Sequence, residues 1–327
     1  MKLRAVWAAF FLFAGTGVSG AAEKAIFLLD WIPYGKHAPY YCALDKGFYR
    51  EAAIDVAIER GRGSADNLKR LGARAADFVK VDMGAAIVAR SRGVPARVVG
   101  ILADKSLAVV FVLKGSGMQN PRDLEGRRIG DEVGSGTYAI FPAFAKINGI
   151  QKWEFVPMTA AAKNSSLITG KVDAITTMYT VVPALEKGAR QAGKEIQAFR
   201  YGDWGLDTYA HALVTLDSTL RDRADTVRRF VHATYRGIAW AFGHPEEAVD
   251  IFLRHKPTAS RDVTRQELQI AIDHLLTPET RKRGVGLVDQ EKMRKTIDTF
   301  SRYMKLERKV SAQEMYTNEF MPRDLFH

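Results

Sequence analysis

The stretch LLDWIPYGKHAPYYCALDKGFY, Leu28 to Tyr49, sets Trp31, Tyr34, His37, Tyr40 and Tyr41 directly after a strand-like apolar run. An indole just past the end of a strand offers a broad, stiff face on which a planar ring can stack. His37 can donate to a carbonyl or phosphate, although a histidine opening a helix also serves in local hydrogen bonding. Tyr40 and Tyr41 are neighbours on a helix and point in different directions, so one at most faces a site while the other packs inward. Core packing is the competing reading for every one of these rings, because aromatic side chains are more often buried than functional.

Further candidates lie in loops along the chain. VGSGT, Val133 to Thr137, falls between a strand and a helix, where the backbone N–H groups around Gly136 and the hydroxyls of Ser135 and Thr137 can hold an anion. An ordinary strand-to-helix turn capped by Ser135 is the alternative. Lys80 and Asp82 follow the third strand; the lysine can neutralise an anionic ligand, and the aspartate can cap the next helix or accept from an amino group. A structural ion pair explains them equally well. Asp104 and Ser106 follow the fourth strand, and Tyr179 and Tyr209 complete the set, with lobe packing as their alternative. Generic catalytic signatures are absent: the chain has no G-x-S-x-G, no phosphate-loop G-x-x-x-x-G-K-[ST] and no H-E-x-x-H, and its seven histidines are dispersed.

The elements that must position these residues alternate in type. AIFLLD, IDVAIE, ADFVKV and ARVVGIL read as strands separated by helical stretches, the pattern of a parallel α/β sheet. Ser64 is placed to cap ADNLKRLG, and Gly93 to end GAAIVARSRG. LAVVFVLKGSG leads into a second α/β unit, with later strands at KVDAITT, EIQAF and HALVTL. From Ser218 onward the pattern is almost wholly helical. With 327 residues, 47% of them hydrophobic, the chain can bury a large core in about two domains.

The first residues, MKLR followed by AVWAAFFLFAGTGV and SGAAE, read as a secretory leader ending near Ala21. Cys42 is the only cysteine, so neither an intramolecular disulfide nor a lipid-anchoring cysteine at the cleavage region is expected. The expected setting is the periplasm. Net charge is +11, but the basic residues are scattered and RKR, Arg281 to Arg283, lacks interleaved aromatics, so the charge reads as solubility and no nucleic-acid partner is expected.

FLLDWIPYGKHAPYYCALDKGFYREAAIDVAIE, VVFVLKGSGMQNPRDLEGRRIG, GKVDAITT and RRFVHATYRGIAWAFGHPEEAVDIFL together resemble, in order, the periplasmic substrate-binding proteins of ABC importers. Within these the chain is similar to the binders of thiamine pyrimidine precursors, with nitrate, sulfonate and taurine binders as wider relatives. The resemblance implies a two-lobed α/β fold of the Venus-flytrap type II class. Residues 22–112 plus 212–327 would form lobe 1 and residues 113–211 lobe 2, with crossings near Leu113 and Ala212. It also implies a monomeric binder without cofactor that captures a small planar molecule, neutral or anionic, and delivers it to a membrane permease and its ATPase. A sulfonate, nitrate or aromatic carboxylate is the alternative cargo. Loops Asp30–Tyr41, Lys80–Met83, Asp104–Leu107, Glu132–Tyr138, Met158–Ala160, Thr177–Tyr179 and Tyr201–Tyr209 would meet in the cleft.

His37 matches a histidine common at this place in that group. VGSGT departs from the glutamate–aromatic pair with which the group receives phosphate, which leaves carboxylate or sulfonate heads open. A eukaryotic branch of the family is enzymatic and uses a pyridoxal-bearing lysine, a histidine four residues later and a cysteine-rich iron site. Here the segment is DFVKVDMGAAIV, where no histidine follows Lys80, so a binder rather than an enzyme is expected.

Overall fold

The computed structural model describes residues 22–323 with residues 325 and 326, and the expected leader, residues 1–21, lies outside the described residues. The chain begins with β1 (Glu23–Leu28), whose Ala25 and Phe27 enter one apolar cluster while Leu28 enters another on the opposite face. A strand covered on both faces reads as a continuous apolar run, and AIFLL is one. Then come α1 (Ala38–Asp45), α2 (Phe48–Glu51), β2 (Ile54–Glu59), α3 (Ser64–Gly72), β3 (Phe78–Asp82), α4 (Met83–Ser91) and β4 (Ala96–Ile101). Gly47, at φ 77°, separates α1 from α2 in a left-handed conformation that glycine adopts without a Cβ penalty.

The second lobe holds β5 (Ala108–Leu113), β6 (Arg128–Asp131), α5 (Gly136–Ile147), β7 (Glu154–Pro157), α6 (Ala160–Ile168), β8 (Ala174–Met178), α7 (Val182–Gln191) and β9 (Ile196–Arg200). The chain then returns through β10 (His211–Leu216) to a helical end: α8 (Asp217–Asp222), α9 (Ala224–Gly243), α10 (Pro245–His255), α11 (Arg261–Leu275), α12 (Pro278–Arg283), α13 (Gln290–Tyr303) and α14 (Ala312–Met315). No helix among the described residues is long and apolar enough to cross a membrane.

Two five-stranded sheets result, ordered β2-β1-β3-β10-β4 and β7-β6-β8-β5-β9. The first four strands were expected to be parallel and do run the same way, but each sheet also contains one reversed strand. β10 runs antiparallel to β3 and β4, and β5 antiparallel to β8 and β9. The reversed strand is in each case the first one after the chain crosses between lobes. The whole of β5 pairs within the second sheet, so the first crossing occupies residues 102–107 rather than the region of Leu113. An apolar run such as LAVVFVL suits either sheet, and its hydrophobicity does not say which one it will join. The short β7 escapes the sequence pattern because its four residues are exposed or half-buried.

The lobes are closed on each other. One apolar cluster runs across them where α5 meets α4 and α13, and a Cβ on Gly84 would lie 2.6 Å from both Ile140 and Phe300. On the other face of the first sheet, Phe230 of α9 stacks on Phe78 at 3.8 Å and meets Tyr49 and Phe27 at 5.5 Å each. This ring cluster supports the strand ends that carry the site. Truncation by Phe230→Ala is expected to cost about 3–5 kcal/mol in urea denaturation followed by circular dichroism; a loss under 1 kcal/mol would show that the cluster is not a structural centre.

Candidate functional site

The first lobe's half of the site is organised by a carboxylate. Asp30, two residues past β1 and 2% exposed, accepts from Lys36 Nζ, from His37 Nε2 at 2.8 Å and from Lys80 Nζ at 3.2 Å. Burial alone would raise its pKa, but the charges of Lys36 and Lys80 outweigh that and hold it well below the ordinary carboxylate range. His37 Nδ1 accepts from the Tyr34 N–H at 3.1 Å, so Nε2 carries the proton it donates to Asp30. Burial pushes this imidazole down to about 3, and it stays neutral. His37 therefore orients the loop. Glu267 of α11 accepts from the Gly35 N–H at 2.6 Å and fixes the same loop from outside, and burial raises its carboxyl to about 7.

A second carboxylate organises the other half. Asp131, at the end of β6 and fully buried, accepts from Ser135 Oγ at 2.6 Å, Thr137 Oγ1 at 2.9 Å, Thr176 Oγ1 at 2.5 Å and Lys163 Nζ at 2.5 Å. Ser135 also caps α5 by accepting from the Tyr138 N–H at 3.1 Å. The hydroxyls expected to receive an external anion in VGSGT are thus engaged by the protein's own carboxylate. Gly136 serves closure: a Cβ there would lie 2.7 Å from Ser64 Oγ of the first lobe.

Between the halves is a small cavity, walled by Asp30, Trp31 and Ser64 on one side and by Glu132, Lys163 and Thr177 on the other. Ser135, Gly136 and Thr137 also reach it. Trp31 is 8% exposed, and the Lys163 ammonium stands 4.3 Å from its ring centroid. Thr177 Oγ1 is buried without a hydrogen-bond partner among the described residues, and the buried Trp31 N–H helps to stabilise the Glu132 carboxylate without forming a bond of good geometry. Glu132 accepts from the Ala160 N–H at 3.0 Å; burial raises its pKa, and the Lys163 charge opposes that rise. Tyr34 and Thr180 close the cleft with a hydroxyl–hydroxyl contact of 3.0 Å across the lobes.

The remaining candidates disperse. Tyr40 packs in the core edge-on to Phe27 at 5.2 Å, with Lys80 over its ring at 5.6 Å, and does not line the cavity. Tyr41 packs in the core against Phe252 and His255, because its position on α1 faces α10. Asp82 caps α4, accepting from the N–H groups of Gly84 at 2.8 Å and Ala85 at 3.3 Å, and burial raises it to about 7. Ser64 is the first residue of α3 rather than its cap, and its Oγ accepts from the Asp82 N–H at 3.0 Å. Asp104 is paired with Arg283 at 2.8 Å and Lys292 at 2.9 Å, and Ser106 accepts from the Ala108 N–H, so both hold the first crossing. Tyr209 accepts from the Asp289 N–H at 2.8 Å in the second crossing. Tyr179 lies under Arg200, 3.6 Å from ring centroid to guanidinium. None of these last four lines the cavity. Sequence reasoning did not single out Asp30, Lys36, Glu132, Lys163 or Thr177; only Asp30, a charge ending an apolar strand beside Trp31, carried a visible signal.

The family model described as NMT1/THI5 like matches residues 35–248. The chain belongs to this family. Over 308 residues it is 24% identical to the riboflavin-binding protein RibY of Chloroflexus aurantiacus, covering 92% of this chain and 86% of that one. It is 22% identical to the formylaminopyrimidine-binding protein of Halalkalibacterium halodurans over 306 residues, 91% of each chain. The 4-amino-5-hydroxymethyl-2-methylpyrimidine phosphate synthase THI13 of Saccharomyces cerevisiae is 26% identical over 259 residues, 76% of each chain. Among solved structures, the fold matches the periplasmic aliphatic sulphonate binding protein SsuA of Escherichia coli at a TM-score of 0.66 and 14% identity, over 90% of this chain and 92% of that one. The fold is that of the ABC-type solute-binding proteins.

Two measurements check the electrostatics of this NMT1/THI5-like site. Asp131→Ala leaves Lys163 buried without its counter-ion and is expected to cost about 3–5 kcal/mol in chemical denaturation, part of which Asp131→Ala/Lys163→Met recovers. No recovery in the double variant would mean that the pair is not coupled. Glu267 binds a proton more tightly folded than unfolded, so its contribution is present at low pH and is lost as pH rises from about 4.5 to about 7. Accordingly, Glu267→Gln should gain stability relative to the parent between pH 5 and pH 8, and an unchanged difference would refute the assignment.

Proposed function

We propose that this protein is the exported solute-binding component of an ABC import system and that its cargo is an amino-bearing planar heterocycle. The observation that carries the reading is the Trp31 face in the closed inter-lobe cavity, with Thr177 Oγ1 beside it buried and without a hydrogen-bond partner among the described residues. A buried polar group without a partner costs free energy, and a ring with a polar edge supplies the missing bond to Thr177. Glu132 places acceptor oxygens in the cavity wall, where an exocyclic amino group can donate.

The chemistry weakens the anionic alternatives. Lys163, the cation in the cavity wall, is already paired with Asp131, and two further carboxylates border the space. An enzymatic reading also loses support: Lys80 is engaged by Asp30, and the residue four places on is Gly84, where Phe300 packs. The mechanism is reversible capture. An open form admits the ring against Trp31, the lobes close by hinge motion at residues 102–107 and 201–210, and the closed form is presented to a membrane permease in the periplasm.

Calorimetric titration with 4-aminopyrimidines, flavins, sulfonates, aromatic carboxylates and nitrate tests the proposal. An aminopyrimidine is expected to bind saturably and to quench tryptophan fluorescence, and Trp31→Ala to weaken it by about tenfold or more. Saturable binding of a sulfonate or nitrate alone, or undiminished binding by Trp31→Ala, would overturn it.

A further inference from the structure

The loop that follows β2 carries two arginines at the mouth of the cleft. It is stitched to the Trp31 loop, the Gly61 N–H donating to the Trp31 carbonyl at 3.3 Å and the Gly63 N–H to the Asp30 carbonyl at 3.2 Å. Gly61 packs so closely that a Cβ there would stand 2.0 Å from the Leu29 carbonyl oxygen. Arg60, Gly61, Arg62 and Gly63 alternate between exposed and buried, so both arginine side chains leave the backbone on its outer side. Neither has an ion-pair partner among the described residues, whereas their neighbour Arg70 is paired with Glu59 at 2.7 Å. A groove runs from these arginines to the second lobe, where Val133, Pro157 and Met158 form its far wall. Val133 is 74% exposed, the most exposed large apolar side chain among the described residues. Lobe closure brings the two walls together. The Ala65 N–H donates at 3.4 Å to the carbonyl of Gly134, next to Val133, and a Cβ on Gly63, next to Arg62, would stand 2.6 Å from that same oxygen.

We propose that this two-walled groove is the face by which the closed protein docks on its membrane permease, and that the permease fills it with an acidic side chain set beside an apolar one. The proposal rests on the solute-binding reading above and adds the surface and the chemistry of the partner. Arg60, Arg62, Val133 and Pro157 are exposed, so a small solute in the groove would stay mostly in water, whereas a protein loop covers them. Arginines without a counter-ion of their own favour a partner that brings carboxylates, and such charges speed and orient the encounter. Each lobe supplies one wall. Opening therefore separates Val133 from Arg60 and Arg62 and takes the docking face apart, so the permease recognises closure itself rather than the cargo.

The test is photo-crosslinking. Cys42 is buried, so Val133→Cys gives the protein one accessible thiol, which is labelled with a benzophenone maleimide. The labelled protein is irradiated with inner-membrane vesicles from the cells that make it, and the products are identified by mass spectrometry. An ABC permease subunit is expected from Val133→Cys and not from the same label at Thr258→Cys, in the exposed connection between α10 and α11. Arg60→Glu/Arg62→Glu should cut this capture about fivefold or more while leaving 4-aminopyrimidine affinity within about twofold. Gly136→Val, whose side chain meets Ser64 of the other lobe and blocks closure, should cut capture as well. Undiminished capture by the double arginine variant overturns the proposal. So does parent protein that sediments with protein-free phosphatidylglycerol vesicles and loses this in the double variant, which would assign the arginines to lipid. Capture from Thr258→Cys alone overturns the docking face and leaves the solute-binding reading standing. Capture from neither position also overturns the proposal, and the solute-binding reading falls with it only if calorimetry finds no saturable ligand.

Discussion

The buried carboxylate of Asp30 is the constraint on which the site depends. It stands just past β1, the first strand of the first lobe, and the groups it gathers come from the following loop and from β3. Held by those contacts, the loop cannot swing Trp31 out of the cleft. A charge removed from water so completely is stable only with counter-ions at contact distance, and removing one partner of such a set is far more damaging than removing both. The cluster is therefore better understood as fixing geometry than as adding stability.

The second lobe repeats the device with different residues. β1 and β6 occupy the same place in their sheet orders, and each leads to a buried aspartate neutralised by lysine: Asp30 by Lys36 and Lys80, Asp131 by Lys163. The cavity forms where these two polar centres face each other across Trp31. Since each carboxylate is satisfied within its own lobe, closure does not depend on an ion pair from Asp30 or Asp131 to the opposite lobe. The inter-lobe contacts include close approaches at small residues. Gly63 lies against the Gly134 carbonyl, where a Cβ would stand 2.6 Å away, and the Ala65 N–H donates to that same carbonyl at 3.4 Å.

Much of the fold was legible because burial on both sheet faces writes apolar runs, and the alternation of those runs with helices is visible along the chain. The sense of β5 and β10 was not, since direction is set by the crossing between lobes and leaves no mark in residue type. At the site, Trp31 was legible from its place after an apolar strand. Lys163 was not, because a lysine within AAAKNSSLI looks like any solvated helical lysine until β6 and β8 bring Asp131 and the Thr176 carbonyl to it. The commitment of the VGSGT hydroxyls was hidden for the same reason: local pattern locates the turn, whereas the carboxylate that engages its hydroxyls comes from the preceding strand end. Asp82 was open between cap and ligand, and its two backbone donors decide for the cap.

The central claim is that a planar ring is held on Trp31 between the two aspartate-centred lobes. A crystal structure of the protein with the tightest-binding aminopyrimidine tests it most directly. The account predicts the ring lying flat on Trp31 and a contact to Thr177 Oγ1 from the other lobe. A ligand bound elsewhere in the cleft, off the Trp31 ring and with Thr177 Oγ1 still unpartnered, would contradict it.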